Sequence, residues 1–422
     1  METIIYSKVT RRIIPFLFIC YIFCFIDRVN VGFAILQMKG DLGFSEAVYG
    51  LGAGIFFIGY FIFEIPSNLL LEKIGPRIWI GRIMVTWGVV SSMTMLVGSP
   101  ESFYFCRFLL GVMEAGFFPG IILYLTYWYP ASRRAHTTAL FMTAIPVSGI
   151  IGGIVSGWVL HYFSGIYGLS GWQWLFLLEG VPVVLLGIAT FFYLDDGIDS
   201  AGWLTQKEKD FLRKEIELEE KNKSRHSLKD GLLDLRVWVL SLVYFCSAVG
   251  LYGINFWLPQ IVRNTGVESP LNIGLITAIP NCFAIIVMLI MGRSSDRRHE
   301  RRWHLFICSL IASIGFITTA AYGSSTIIAV ASLGLSMAGI MSFLSIFWGL
   351  PTAILTGTAA ASGIALINSV GNLGGFASPY MLGRIHEVTK SLDSGFYFIA
   401  LLLFAGGVFV MILGRPPASS RF

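Results

Sequence analysis

Long apolar segments, each long enough to cross a bilayer, dominate this chain. About 20 apolar residues span the hydrocarbon core as an α-helix, and cutting the sequence at charge clusters and Pro-Gly signals leaves twelve such segments. Their approximate limits are 13–36, 48–71, 78–97, 102–128, 136–161 and 172–194, then 237–261, 271–292, 303–322, 326–350, 357–384 and 395–414. The pattern predicts an all-α membrane protein with twelve transmembrane helices, and the lipid bilayer is its first expected partner.

One polar stretch interrupts the apolar pattern. Residues 195–236 hold eleven acidic and nine basic side chains, with apolar residues at near-helical spacing. This composition is typical of a solvated amphipathic connector. It divides the chain into an N-terminal six-helix half (1–194), the connector (195–236) and a C-terminal six-helix half (237–422). A regulatory or partner-binding role for the connector stays open.

The distribution of Lys and Arg predicts the orientation. With alternating sides assigned to the loops, 24 of these residues fall on the side of the two termini and four on the other. The positive-inside rule then places both termini in the cytoplasm. It also explains the net charge of +5, so we expect no nucleic-acid partner. Only about ten residues precede the first segment, too few for a cleaved signal.

Composition supports this class and excludes others. Hydrophobic residues make up 55% of the 422 residues and charged residues 13%, too little charge to cover the surface of a soluble protein. The six cysteines lie in apolar segments, and the six histidines do not cluster in a span, so no metal site is predicted. The sequence lacks a phosphate-binding glycine loop with its lysine. We therefore expect neither an enzyme nor a bound cofactor.

The two halves share a repeated sequence pattern, which indicates a duplication. Four small residues of the fifth segment recur in the eleventh at a constant offset of 222, namely Gly149, Gly152, Gly153 and Ser156 as Gly371, Gly374, Gly375 and Ser378. Small residues at this spacing let helix backbones approach closely. Repeated six-helix halves that bind their cargo at the shared midplane are typical of a secondary transporter.

An acid and a base stand side by side in the first segment. Asp27 and Arg28 lie more than ten residues inside it, and charges at such depth are expensive and usually functional. The Arg28 guanidinium is suited to grip a carboxylate with two hydrogen bonds. The alternative is that Arg28 only neutralises Asp27, although neighbours in a helix point about 100° apart.

The fourth segment carries a second pair of buried charges. Glu114 follows Arg107 by seven residues, which places both on one face about 10 Å apart. Asp27 and Arg107 lie at similar depths, so an ion pair between them is predicted. Glu114, nearer the midplane, is the better candidate to carry a proton. A fixed ion pair between Glu114 and Arg107 is the alternative.

Further polar residues occur in or near the spans. Glu64 and Glu179 lie close to prolines and are interpreted as structural. Asn368 and Asn372 stand one turn apart and could present amides to substrate hydroxyls. For Trp348, packing or an interface role is the default interpretation.

Six motifs together resemble one transporter family. They are IDRVNVGFA (26–34), GYFIFEIPSNLLL (59–71), RFLLGVMEAGFFPG (107–120), GWQWLFLLEGVP (171–182), WLTQKEK (203–209) and INSVGNLGG (367–375). The chain resembles the anion:cation symporter family of the major facilitator superfamily (MFS), in particular its tartrate-type and related carboxylate permeases. The resemblance covers nearly the whole chain and implies the MFS fold, two pseudo-symmetric six-helix bundles.

The resemblance also implies roles for single residues. Arg28 would bind the substrate carboxylate, with Tyr60, Trp348 and Asn368 completing the site from both halves. Asp27 and Glu114 would be the protonatable pair, with Arg107 as their electrostatic partner. Cytoplasmic gate residues would be Glu72 with Arg77 and Asp296 with Arg297.

These observations predict a secondary active transporter working by alternating access. The cargo would be a small organic anion, such as a hydroxy-dicarboxylate or sugar acid, imported with protons by a monomer in a bacterial inner membrane. A proton-coupled exporter of drugs or metabolites is the alternative, which Arg28 disfavours. A membrane sensor or scaffold would need a folded soluble domain, and residues 195–236 are too short and too charged to bury a core.

Overall fold

The computed structural model describes residues 2–221, 234–298, 300–354 and 358–413. Ten α-helices form the N-terminal half and the connector. They are α1 Glu2–Val29, α2 Val31–Leu42, α3 Glu46–Ile74, α4 Pro76–Met93, α5 Pro100–Glu114, α6 Phe117–Thr126, α7 Ala131–Met142, α8 Ala144–Tyr162, α9 Gly171–Tyr193 and the connector helix α10 Gln206–Lys221. Short 3-10 turns at Thr94–Leu96 and Ile166–Gly168 complete the regular structure of this part.

The C-terminal half is also helical throughout its described residues. Its helices are α11 Leu235–Asn264, α12 Pro270–Arg298, α13 Arg302–Tyr322, α14 Thr326–Phe347, α15 Gly349–Ile354, α16 Thr358–Asn372, α17 Gly374–Thr389 and α18 Asp393–Ile412. Eleven stretches of the described residues are long and apolar enough to cross a membrane. Helices α16 and α17 occupy the position of the remaining predicted span. The predicted all-α membrane architecture is confirmed.

Several predicted spans are interrupted. The fourth breaks at Ala115 and Gly116, which leave the helical conformation. The first and the fifth are interrupted more mildly, at Asn30 and Thr143, since both residues keep helical φ and ψ. Gly116 has φ +86°, a conformation that favours glycine, and a Cβ there would lie 2.3 Å from Ser67 Oγ. The tenth and eleventh predicted spans break at Trp348 and Leu373.

Two seams of small residues join the halves. In the first, α8 packs on α12, and a Cβ on Gly274 would lie 2.3 Å from the carbonyl oxygen of Gly153. In the second, α3 packs on α17, and a Cβ on Gly50 would lie 2.3 Å from the carbonyl oxygen of Pro379. The duplicated Gly153 and Gly375 occupy equivalent places, since each faces a helix of the other half. Such spacing allows contact between backbones.

The ends of the helices define two faces of the bundle. The face that carries Glu2, the connector and Ile412 is called the terminal face, and the other the opposite face. At the opposite face, Gln260 Nε2 of α11 donates to Glu46 Oε1 of α3 at 2.6 Å. Arg263 of α11 also donates to the carbonyl oxygen of Leu36. The halves are therefore in contact at the opposite face.

The described part of the connector packs on the N-terminal half. Lys8 Nζ of α1 donates to Glu208 Oε2 of α10 at 2.9 Å. The Trp203 ring stacks on Trp128 with centroids 5.6 Å apart, and its Nε1 donates to Asp195 at 2.7 Å. Within this segment, predicted as an amphipathic connector, helix α10 covers Gln206–Lys221. Residues 222–233 of the predicted connector lie outside the described residues.

Candidate functional site

Two interrupted helices bring Arg28 and Glu114 together. Arg28 lies one residue before the end of α1, and Glu114 is the last residue of α5. The guanidinium donates to Glu114 Oε1 through Nε, at 3.1 Å, and through Nη2. Arg28 is 5% exposed and Glu114 is fully buried. Removal of one partner from a buried ion pair strongly destabilises a protein, because the other charge is left without compensation.

The same guanidinium reaches the C-terminal half. Its Nη1 donates to the Tyr252 hydroxyl of α11 at 2.9 Å. The Phe56 and Tyr60 rings of α3 lie 5.3 and 5.2 Å from its carbon Cζ, within the range of cation-π attraction. Arg28 therefore stands at the junction of the two halves, with the predicted residue Tyr60 beside it.

Only one of the two carboxylate oxygens of Glu114 is hydrogen-bonded among the described residues. Its Oε1 accepts from Arg28 and from the Cys24 thiol at 3.2 Å. Its Oε2 is buried without a hydrogen-bond partner among the described residues. A buried oxygen without a donor is costly, and the contacts with Arg28 and Cys24 satisfy only the other oxygen of this carboxylate.

Arg107 binds backbone, contrary to the predicted ion pairs. Its Nη2 donates to the carbonyl oxygen of Arg28 at 3.2 Å and its Nε to that of Gly52 at 3.4 Å. The break at Asn30 leaves the Arg28 carbonyl available, because the helix does not continue past Val29. Glu114 lies on the same helix, but a separation of seven residues, about 10 Å, is too long for direct contact. The predicted pairing of Arg107 with Asp27 or Glu114 is therefore replaced by a clamp on the end of α1.

Asp27 points toward α4 and away from α5, where the sequence had placed its partner. Its Oδ2 accepts from Trp87 Nε1 at 2.7 Å, and its Oδ1 accepts from Ser91 Oγ at 3.0 Å. Trp87 and Ser91 are one turn apart on one face of α4. Since adjacent residues of a helix diverge by about 100°, Arg28 and Asp27 face different neighbours, as predicted. The neighbour of Asp27 was predicted wrongly.

A chain of polar contacts continues from Asp27 to Glu179. Asn30, at the break between α1 and α2, directs Nδ2 toward Asp27 Oδ1 at 3.4 Å and toward Glu179 Oε2 at 3.0 Å. Glu179 Oε1 of α9 accepts from Ser156 Oγ of α8 at 2.8 Å. The sequence analysis did not identify Asn30. A polar residue two positions after a buried Arg was the available signal.

Glu64 connects the halves near the terminal side of Arg28. It lies one turn after Tyr60 on α3, and its two carboxylate oxygens accept from Asn368 Nδ2 at 2.5 Å and Ser369 Oγ at 3.0 Å. The predicted substrate residue Asn368 thus contacts Glu64. Asn372 is buried one turn further along α16, and Trp348 packs edge-on against Tyr244 with centroids 5.1 Å apart.

The predicted gate residues lie on the terminal face. Arg77 pairs with Asp196, with Nε and Oδ2 3.5 Å apart, and its backbone N–H donates to Asp196 Oδ1 at 3.0 Å. The sequence had paired it with Glu72, which is exposed near the end of α3. Arg77 contacts Asp196 and not Glu72 because the turn at Gly75 directs the start of α4 toward Asp196. Asp296 and Arg297 are both exposed in the last turn of α12.

Comparisons with known proteins fit this architecture. The family description "Major Facilitator Superfamily" matches residues 17–379. A putative tartrate transporter of Agrobacterium vitis is 48% identical over 98% of this chain and 96% of its own length. A quinolone resistance transporter of Acinetobacter baumannii is 42% identical over 98% and 95%. The crystal structure of a bacterial homologue of the human lysosomal transporter Spinster, inward-facing and occupied, matches with a TM-score of 0.77 at 17% identity, covering 97% of this chain and 98% of that one.

Proposed function

Since this chain belongs to the major facilitator superfamily, we propose that it imports a small organic anion by proton symport and alternating access. The observation that carries the proposal is the buried Arg28–Glu114 pair, which touches the other half through Tyr252. Relatives named as tartrate transporters, at 48% identity, support a hydroxy-dicarboxylate such as tartrate, or another carboxylate, as cargo.

Arg28 is the proposed clamp for the substrate carboxylate. In the structure Glu114 occupies that clamp. Protonation of Glu114 removes its charge and releases the guanidinium, so a substrate carboxylate can take its place with two charge-assisted hydrogen bonds. A proton and an anion then occupy the site together. The bare anion would compete with Glu114, which makes binding depend on the proton.

The remaining predicted residues take supporting roles in this proposal. Asp27 is a second protonatable group, and Arg107 keeps the end of α1 in place between them. The proposed substrate-binding residues besides Arg28 are Tyr60, Trp348, Asn368 and Asn372. Glu72, Arg77, Asp296 and Arg297 remain proposed gate residues on the terminal face.

Alternating access would use the two seams between the halves. In the structure they are in contact at the opposite face. We propose that the terminal face is cytoplasmic, which fits the distribution of Lys and Arg, and that the protein works as a monomer in the inner membrane of a bacterium. The contacts at the opposite face would then have to separate before cargo enters from outside.

Uptake by purified protein in proteoliposomes tests the symport. Radiolabelled tartrate should accumulate above equilibrium when the outside is made acidic, and a panel of sugar acids and aromatic acids ranks the alternatives. Collapse of the pH gradient by a protonophore should abolish accumulation. Uptake of the best acid at the same rate and extent with and without the gradient would refute proton symport.

Drug or metabolite export is the second candidate, because a relative at 42% identity is named as a quinolone resistance transporter. In inside-out vesicles, export predicts that an acidic interior drives accumulation of a fluoroquinolone. Import of organic acids predicts that the same gradient leaves the fluoroquinolone unmoved.

A further inference from the structure

The N-terminal half buries more acids than bases in its membrane-spanning helices. Among the described residues, its fully or nearly fully buried charges away from the two faces are Asp27, Glu64, Glu114 and Glu179 against Arg28 and Arg107. Arg28 is taken up by Glu114, and Arg107 donates to backbone. An ionised carboxylate without a cation is expensive in this environment. Three acids are left to be stabilised by other means.

Glu179 has neutral donors alone among its described hydrogen-bond partners. They are Ser156 Oγ at 2.8 Å and Asn30 Nδ2 at 3.0 Å. Helices α1, α2, α4 and α8 pack around this part of α9. Among the titratable side chains of these four helices, Asp27 of α1 is the one that faces Glu179. Arg28 and Cys24 of α1 are also buried, but both donate to Glu114. Cys20 and Tyr21 of the same helix are buried as well, and the charged side chains Lys39 and Asp41 of α2, Arg82 of α4 and His161 of α8 lie toward the two faces.

Asp27 and Glu179 share a single amide. Asn30 Nδ2 lies between Asp27 Oδ1, at 3.4 Å, and Glu179 Oε2, at 3.0 Å. Asp27 has two further donors, Trp87 and Ser91, so it is the better stabilised carboxylate. The oxygen Oδ1 of Asn30 is buried without a hydrogen-bond partner among the described residues. With like charges on both sides of one amide, a proton on Glu179 removes the repulsion.

A small cavity adjoins this chain of contacts at the junction of the halves. It has a volume of about 20 Å³, enough for one water molecule. Asn30 and Ser156, the two partners of Glu179, line it together with Gly153 and Thr277. A water molecule there would touch groups that hydrogen-bond Glu179, which provides a step for proton transfer.

The seam between α8 and α12 closes the way from this cavity to the opposite face. Gly157 and Gly274 lie beyond it toward that face, and a Cβ on Gly157 would be 2.9 Å from the Cα of Gly274. Separation of the halves at the opposite face would part these backbones and admit water to Ser156 and Asn30. In the closed arrangement the same groups are shielded.

We infer that Glu179 is an additional proton-binding site, loaded from the opposite face through the α8–α12 seam and linked to Asp27 by Asn30. The inference rests on the proposed proton symport and extends it, because a proton at Glu179 would be counted separately from the one exchanged at Glu114. The ligand of this site is a proton delivered by water.

Infrared difference spectroscopy of the full-length protein in lipid tests the site without a substrate. Between neutral and alkaline pH, the wild type should lose intensity in the carboxylic-acid C=O stretch, and Glu179→Gln should lack that component. An unchanged carboxylic-acid signal in Glu179→Gln across the titration would overturn the assignment. If wild-type uptake of tartrate and the acid panel ignores the pH gradient, the symport fails while the infrared result still decides whether Glu179 holds a proton.

Milder variants keep the test valid if Glu179→Gln does not fold. Ser156→Ala removes a donor to the ionised carboxylate, so the C=O signal should persist to higher pH. Ser148→Ala is the matched control, since Ser148 lines the same cavity but donates to the carbonyl oxygen of Ile145. Identical titrations of Ser156→Ala and Ser148→Ala would contradict the proposal.

Transport gives a second readout. With one proton fewer per cycle, the Glu179 variant should accumulate radiolabelled acid about tenfold less at a pH difference of one unit, because each unit is worth a factor of ten per proton. Exchange of internal for external acid, which needs no net proton movement, should continue. Equal accumulation ratios in the variant and the wild type would count against a coupled proton at Glu179.

Discussion

The Arg28 guanidinium and the Glu114 carboxylate meet where two membrane helices are interrupted, and the pair is buried at the junction of the two halves. Glu114 uses one oxygen for Arg28 and leaves the other without a partner among the described residues. In the proposed mechanism this relationship makes the Glu114 carboxylate compete with the substrate carboxylate for Arg28. The predictions on substrate binding begin from it.

Glu114→Gln should uncouple binding from protons. The amide stays neutral at every pH, so Arg28 is free to bind tartrate, and thermal stabilisation by tartrate should lose its dependence on pH. Accumulation driven by a pH gradient should fall at least tenfold. Glu101→Gln, the same change at an exposed position of α5, is the control. A Glu114→Gln protein that accumulates acid to the same ratio as the wild type at the same pH gradient would remove Glu114 from the mechanism.

Arg28→Lys should keep the charge and lose the bidentate grip. Lysine cannot reproduce the bonds that Arg28 makes to Glu114 and Tyr252. The loss of one charge-assisted hydrogen bond, about 1.5–3 kcal/mol, corresponds to a tenfold or greater rise in the Kd for tartrate. Isothermal titration on the purified variant measures it, with Arg384→Lys at an exposed position of α17 as control. Unchanged affinity in Arg28→Lys would argue against the clamp.

Gly274→Ala should prevent closure of the opposite face. Its Cβ would lie 2.3 Å from the Gly153 carbonyl oxygen, and overpacking of this kind costs about 1–3 kcal/mol. Hydrogen exchange followed by mass spectrometry should rise in the opposite-face ends of α8 and α12. Gly292→Ala on the same helix, where a Cβ meets nothing within 4 Å, should leave exchange unchanged. Equal exchange in both variants would mean that the seam tolerates a methyl group.

Lys8→Ala should loosen the connector helix. Hydrogen bonds from Lys8 Nζ and the Thr205 N–H hold the pKa of the Glu208 carboxyl below its usual value. A lowered pKa stabilises docking above the usual value of about 4.3, and the contribution is lost as pH falls through the lowered pKa. The protection of α10, which is its exchange relative to the intrinsic rate at the same pH, should therefore fall in Lys8→Ala at neutral pH and in the wild type under acidic conditions. Lys214→Ala, exposed on the same helix, should match the wild type at neutral pH.

Hydropathy and periodicity were enough for the membrane architecture, because the length of each span is set by the bilayer. They did not predict the interruptions. Three breaks, at Gly116, Thr143 and Trp348, each lie three residues before a proline, where the ring is accommodated in a first helical turn. Proline alone is not a sufficient signal, since Pro15 and Pro66 lie inside continuous helices.

The sequence identified the residues of the candidate site, but it did not identify the side chains that they contact. Depth in the membrane identified Asp27, Arg28, Arg107 and Glu114, because charge there is costly whatever it contacts. Their pairing depends on where α1 and α5 end, and an ideal continuous helix rotates the side chains differently. Glu179 was interpreted as structural because it lies beside Gly180 and Pro182, and its contact with Asn30, which lies between α1 and α2, is not visible in the sequence.

Arg107 fixes the end of α1, and in the proposed mechanism this separates two properties, the coupling to protons and the choice of substrate acid. Helices α1 and α5 are joined twice, through the Arg28 backbone and through its side chain, so the groups of the proposed proton chemistry lie together within the N-terminal half. Tyr252 approaches Arg28 from the other half at 2.9 Å. A library of substitutions at Tyr252 is therefore the place to seek a transporter for a different acid that keeps its original driving force.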